Sequence, residues 1–336
     1  MTRKFHQLWF VVAVLFLTGC GGYPEDIDIG GDIDEPDRTL FNRALFDLDN
    51  SRYVRARLEL NTLINTYPDS EFLPQAKYAV AESFYQMGTR ADMIQAETEF
   101  KDYIIFFPTS DLADDAQLMV AMAHVRQMEK ASRDPTQAQM AELELQNFLS
   151  SYPDSPLLDE AKEKLRAVQE VLADGVLQIA NYYSTVRSFP AATDRYLEIL
   201  EKYPDFSEMP EALYRLAETM RNSEDEGESI LYYNRVIRDH PLSEFVELST
   251  ERLAELDQVI PTANPVALAR AETVPEPDGK GLLARVFGIW SRRPDISTET
   301  TAASIIPGEE RGAAGVEGVF EVEGAIVGPG EPLEEQ

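Results

Sequence analysis

The chain is poor in the residues on which most chemistry depends. It has one cysteine, Cys20, so it can form no intrachain disulfide, no thiol pair and no cysteine-based metal site. Its three histidines, His6, His124 and His240, have no second ligand at metal spacing, and packing roles are favoured for them over metal binding. No Walker-type glycine loop, HExxH, GxSxG or dinucleotide fingerprint occurs. Adjacent carboxylates such as Asp114-Asp115 and Glu309-Glu310 are ordinary solvated pairs in an acidic chain. Positive charge is also scarce: 30 Lys+Arg stand against 60 Asp+Glu, a formal net charge of −30 over 336 residues. Such a balance argues against nucleic acid or an anionic membrane surface as partner of the whole chain. No catalytic, cofactor or metal residues are expected, and the chain reads as a non-enzyme.

Long hydrophobic runs are missing too. The longest, Leu8 to Leu17, follows the basic Arg3-Lys4 and ends in Leu17-Thr18-Gly19-Cys20. It is too short for a permanent membrane span and reads as a secretory signal, residues 1–19. The ending resembles a bacterial lipobox, which implies lipidation at Cys20 and anchoring through several acyl chains. Gly21 after the cysteine favours the outer membrane by resemblance to lipoprotein sorting rules. Residues 20–36, rich in Gly, Asp and Glu, read as a flexible acidic tether.

What the chain has in abundance is one pattern, used five times and anchored at Pro68, Pro108, Pro153, Pro204 and Pro241. Twelve residues before each proline stands a small residue: Ala56, Ala96, Ala141, Ala192 or Ser229. Eight before is a bulky one: Leu60, Phe100, Leu145, Tyr196 or Tyr233. Five and four before are apolar pairs, from Leu63/Ile64 to Val236/Ile237. The proline is preceded by Tyr67, Phe107, Tyr152, Tyr203 or His240, and the second residue after it is Ser70, Ser110, Ser155, Phe206 or Ser243. These offsets share one face of a 3.6-residue helix that the proline stops. Ser155-Pro156 reads as the N-cap and first turn of the next helix.

A small residue at the crossing point, bulky residues after it and a terminal proline are the signature of a tetratricopeptide hairpin. The fold expected is therefore all-α, a TPR-like solenoid of five helical hairpins over residues 37–260. Leu242 to Val259 would form its C-terminal capping helix. The copies lie 40, 45, 51 and 37 residues apart, so extra length must sit in first helices or loops. Repeat two is expected to turn at Gly88 to Asp92. Repeat three carries a polar insertion, Glu129 to Pro135, and repeat four a first helix from Leu157 to about Val186. Residues 261–336 read as a disordered acidic tail. Within it Lys280 to Arg293 forms a basic amphipathic segment, with Leu282, Leu283, Val286, Phe287 and Trp290 at helical spacing. Its alternatives are docking on the repeats, on a partner or on the membrane, or no role.

Three further stretches narrow the resemblance: Arg133-Asp134-Pro135-Thr136-Gln137-Ala138, Ala180-Asn181-Tyr182-Tyr183, and Asp194-Arg195-Tyr196 ahead of Tyr203-Pro204-Asp205. With the lipobox and Tyr-Pro-Asp-Ser turns, residues 17 to 258 resemble the BamD family, lipoproteins of the outer-membrane β-barrel assembly machinery. The resemblance implies a scaffold on the periplasmic face of the outer membrane. It further implies as partners a POTRA-containing, BamA-like barrel protein, other assembly lipoproteins and unfolded outer-membrane proteins. Asp194, Arg195 and Tyr196 are the candidate partner-binding residues, although Arg195 could instead pair within its helix with Glu198 or Glu201. The alternatives are a periplasmic repeat scaffold of the cell-division, Tol-Pal coordinator type and an activator of an envelope hydrolase. Cys20 and the absence of N-terminal heptads count against the coordinator.

Overall fold

The computed structural model describes residues 35–223 and 225–273. Among them are twelve helices: α1 (Pro36–Asp49), α2 (Tyr53–Thr66), α3 (Leu73–Met87), α4 (Arg90–Phe106), α5 (Ala113–Val125), α6 (Thr136–Ser151), α7 (Leu158–Thr185), α8 (Phe189–Lys202), α9 (Met209–Asn222), α10 (Glu226–Asp239), α11 (Phe245–Glu255) and α12 (Pro265–Thr273). From α1 to α11 each helix packs on the next, giving five hairpins and a capping helix. The signal, Cys20, the tether and the basic segment 280–293 lie outside the described residues.

The recurrent residues build the core. Ala56, Ala96, Ala141, Ala192 and Ser229 are all fully buried, so backbones approach closely where helices cross. The bulky positions Leu60, Phe100, Leu145, Tyr196 and Tyr233 fill the space beside them, equally buried.

The proline turn is nearly identical in all five copies. A residue ahead of proline is sterically pushed out of the helical region, and Tyr67, Phe107, Tyr152, Tyr203 and His240 adopt φ from −126 to −132° and ψ from 57 to 67°. Each still donates its N–H to the carbonyl four residues back, at 2.8–3.0 Å. The N–H of the second residue after the proline then donates to the carbonyl of the residue before it, at 3.0–3.2 Å.

Ser70, Ser110, Ser155 and Ser243 accept, on Oγ, the N–H two residues on, at 3.0–3.3 Å. The capping thus occurs inside the turn. Ser155 was expected to be the N-cap itself, but α7 begins only at Leu158, with Leu157 at the N-cap position. Two of these serines also fasten the turn to the same repeat: Ser70 Oγ donates to Asp37 Oδ2 at 2.7 Å and Ser155 Oγ to Asp114 Oδ2 at 2.6 Å. In the fourth copy Phe206 replaces the serine and is buried. Ser207 takes over, donating N–H and Oγ to the Glu170 carboxylate at 3.0 and 2.7 Å.

Three elements differ from the reading above. The turn of repeat two is shorter than expected: Gly88 closes α3 at φ 78°, a conformation suited to glycine. Thr89 caps α4 by accepting the Asp92 N–H, so Asp92 belongs to the helix. The insertion of repeat three is not simply polar, since Met128 and Ala131 are buried. Ala131 lies against α7 at Gly175, where an added Cβ would stand 2.7 Å from Ala131 Cβ. Finally, a further helix follows residue 260. Asn264 donates its N–H to the Arg238 carbonyl and accepts the Val266 N–H on its side chain, starting α12 against α10. The stretch 261–273, read from the sequence as the start of the tail, thus contains a helix.

Candidate interaction surfaces

Binding by a helical-repeat protein is done by what its packed hairpins leave exposed. The outer face of α8 carries the sequence-derived candidates. Asp194 and Arg195 are exposed there. The Arg195 guanidinium donates to Glu198 at 2.6 Å, and Lys202 donates to the same carboxylate at 2.8 Å. Burial opposes the charge of Glu198, but the bonds from Lys202 and Arg195 outweigh it and hold the carboxyl below its ordinary range. The intrahelical pairing open in the sequence is thus present, with Glu198 rather than Glu201. It is an exposed pair of little energetic weight, so a partner carboxylate can compete for Arg195.

Tyr196 does not share that surface. It is fully buried, and its hydroxyl donates to Asn181 Oδ1 at 2.6 Å. Burial pushes its phenol up to about 12, so it stays neutral and pins α8 to α7. Its place among the partner-contacting residues is withdrawn: a side chain with no exposed area meets no partner. Tyr182, one residue from Asn181, is by contrast 63% exposed, and Val186 and Leu197 add exposed apolar surface on α7 and α8.

A polar cluster joins repeats two and three. Glu144 on α6 accepts Lys101 Nζ at 2.9 Å, Gln117 Nε2 at 3.0 Å and Asn147 Nδ2 at 3.2 Å. Lys101 also reaches Glu97, and the buried His124 bonds Gln137 at 2.9 Å through Nδ1. The histidine is thus a packing residue bridging α5 and the start of α6. Among the described residues no three His, Cys, Asp or Glu side chains are placed to hold a metal. A cleft of about 620 Å³ opens between the turns after α4 and α6, lined in part by Asp111, Asp114, Asp115 and Asp154. Ser155 already occupies one of those carboxylates.

The edge of repeats one and two was not singled out from sequence. Arg57 lies over the Phe84 ring at 4.1 Å, flanked on α2 by the exposed Val54 and Leu58. Arg126 lies likewise over Tyr85 at 4.3 Å and donates to the Tyr85 carbonyl at 2.6 Å. The available signal was the spacing of the apolar Val54 and Leu58 around Arg57, residues that fall off the buried stripe of α2.

A family model described as an outer membrane lipoprotein matches residues 33–226, and a tetratricopeptide repeat model matches residues 211–243. The outer membrane protein assembly factor BamD of Rickettsia prowazekii is 24% identical over 229 residues, covering 67% of this chain and 88% of that protein. BamD of Vibrio cholerae is 23% identical over 212 residues, covering 60% and 85%. The lipoprotein model spans more than half of the chain and takes in four of the five proline-stopped hairpins, so the protein belongs to the YfiO family of outer membrane lipoproteins, the BamD family that its repeats resemble.

Proposed function

We propose that the protein is a non-catalytic scaffold for outer-membrane β-barrel assembly. It would be tethered by acyl chains on Cys20 at the periplasmic face and work with a BamA-like partner and other assembly lipoproteins. The observation that carries this reading is the match to proteins named as BamD assembly factors over 88% and 85% of their lengths. On this reading the C-terminal repeats hold a POTRA domain of the barrel protein, with Asp194 and Arg195 as first contacts. A guanidinium suits that role because it makes paired, charge-assisted bonds to carboxylates. The N-terminal repeats receive unfolded barrel polypeptides, to which their exposed aliphatic and aromatic side chains offer a surface. The scaffold supplies placement; bond-making is no part of its task.

Affinity purification of the lipidated protein from outer membranes, followed by identification of what remains bound, tests the reading. Recovery of a POTRA-containing barrel protein is expected. Recovery of Tol-Pal components or a peptidoglycan hydrolase without it would overturn the proposal.

A further inference from the structure

The first repeat bears an apolar surface left bare by the described chain. Val54 and Leu58, one helical turn apart on the outer face of α2, are 67% and 69% exposed. Arg57 stands between them at the border with α3. Its nitrogens donate to Ser83 Oγ at 3.2 Å and contact Met87 Sδ at 3.1 Å while the guanidinium covers the Phe84 ring. Among the described residues no carboxylate lies at ion-pair distance from it. A cation held against an aromatic ring beside two bare aliphatic side chains suits a ligand that is apolar on one face and anionic on the other.

The chain contains such a segment next to α1. Residues 26–34 read Asp-Ile-Asp-Ile-Gly-Gly-Asp-Ile-Asp, with Ile27, Ile29 and Ile33 at odd positions and Asp26, Asp28, Asp32 and Asp34 at even ones. An alternation of period two puts three isoleucines on one side of an extended chain and four aspartates on the other. The reach is adequate. The 14 residues of α1 run about 21 Å before α2 returns alongside, so Arg57 lies roughly 15 Å back from the start of α1, against about 30 Å for nine extended residues.

We propose that segment 26–34 docks in cis along the outer face of α2, its isoleucines against Val54 and Leu58 and an aspartate on the Arg57 guanidinium.

Cysteine pairing in the full-length, lipidated protein tests the docking, because the Cys20 sulfur is held in a thioether to its lipid in the proposed mature form. Under mild oxidation, Ile29→Cys with Leu58→Cys should give an intramolecular disulfide on the order of tenfold faster than Ile29→Cys with Leu242→Cys, a distant exposed control, because the short connection keeps local concentration high. Ile29→Cys with Val54→Cys is the second pair, in case the first perturbs folding. Arg57→Glu added to either should return the rate to that of the control. Rates equal to the control for both pairs overturn the proposal, as does a product that runs as a dimer, which would assign the face to a second copy.

Discussion

One methyl group added at Gly175 separates intrinsic helix propensity from packing at the junction of repeats three and four. Gly175 lies inside the 28-residue α7, where glycine costs about 1 kcal/mol relative to alanine. On propensity alone Gly175→Ala stabilises. The structure opposes that: the new Cβ would stand 2.7 Å from Ala131 Cβ, 2.8 Å from Ala131 C and 2.9 Å from Ser132 N. Two of these are backbone atoms, so no side-chain rotation relieves the clash. Restoring ordinary contact at 3.5–4.0 Å requires the loop to retreat by about 1 Å, which unseats the buried Ala131. Overpacking costs about 1–3 kcal/mol, and a clash against backbone falls in the upper part of that range, about 2–3 kcal/mol; less the propensity gain of about 1 kcal/mol, Gly175→Ala should be a net loss of about 1–2 kcal/mol and lower the melting temperature by about 2–8 °C. Gly227→Ala is the control, since its Cβ would meet nothing within 4 Å in the first turn of α10, and it should be neutral or slightly stabilising. Ala131→Gly should recover part of the loss in the Gly175→Ala background, a coupling that a double-mutant cycle reads directly. A Gly175→Ala protein that melts at or above wild type, as Gly227→Ala does, would refute the close approach.

Ala141→Phe should destabilise the third hairpin by about 1–3 kcal/mol, since Ala141 is fully buried at a helix crossing, while Gln146→Phe on the exposed face should be nearly neutral in circular-dichroism melts. Cys20→Ala should leave the protein soluble or uncleaved in the inner membrane, as membrane fractionation will show. Arg195→Glu should reduce co-purification of the POTRA protein with little change in melting temperature, because Arg195 is itself exposed and pairs only within its helix, with the half-buried Glu198. Glu144 supplies a pH dependence: burial opposes its charge, but hydrogen bonds from Lys101, Asn147 and Gln117 hold its carboxyl below the ordinary 4.5. A depressed folded value gives stability that is present above pH 4.5 and lost as pH falls through the folded value. Glu144→Gln should therefore be less stable than wild type at pH 7, and the difference should shrink in melts taken below pH 4.

The turns were legible because their cause is local. Proline forces its predecessor out of the helix wherever it falls, and the serine two residues on finds its N–H without help from the rest of the fold. The hairpin register was legible for a related reason: small and bulky residues at offsets of twelve and eight can share a buried face in only one way. Tyr196 shows what happens when register is set aside. It occupies the bulky position that Leu60, Phe100 and Leu145 occupy in other copies, so the repeat already placed it in the core. Reading it with its neighbours Asp194 and Arg195 by family resemblance moved it to a surface it does not reach. The start of α12 was also written locally, in Asn264-Pro265, but the compositional change after Ile260 obscured it. Contacts between distant residues left no comparable trace. Nothing near Ser207 indicates Glu170, and nothing near Ala131 indicates Gly175.

That last contact explains the uneven spacing of the copies. The two longest intervals, 45 residues from Pro108 to Pro153 and 51 from Pro153 to Pro204, depart most from the 34 of an ordinary tetratricopeptide repeat. The first contains the insertion after α5, and the second contains α7, which is about three turns longer than the helices around it. In sequence these are two unrelated additions. In the structure they meet, because the insertion folds back to seat Ala131 on α7 at Gly175. Glycine at that point is what lets loop backbone come within contact of helix backbone. Each addition gives the other a packing surface, so repeats three and four are joined by this clasp as well as by the hairpin stacking common to every junction. A solenoid held only by nearest-neighbour stacking can bend at any junction. Here bending between repeats three and four must also break a buried contact, which stiffens that junction between the N-terminal and C-terminal surfaces.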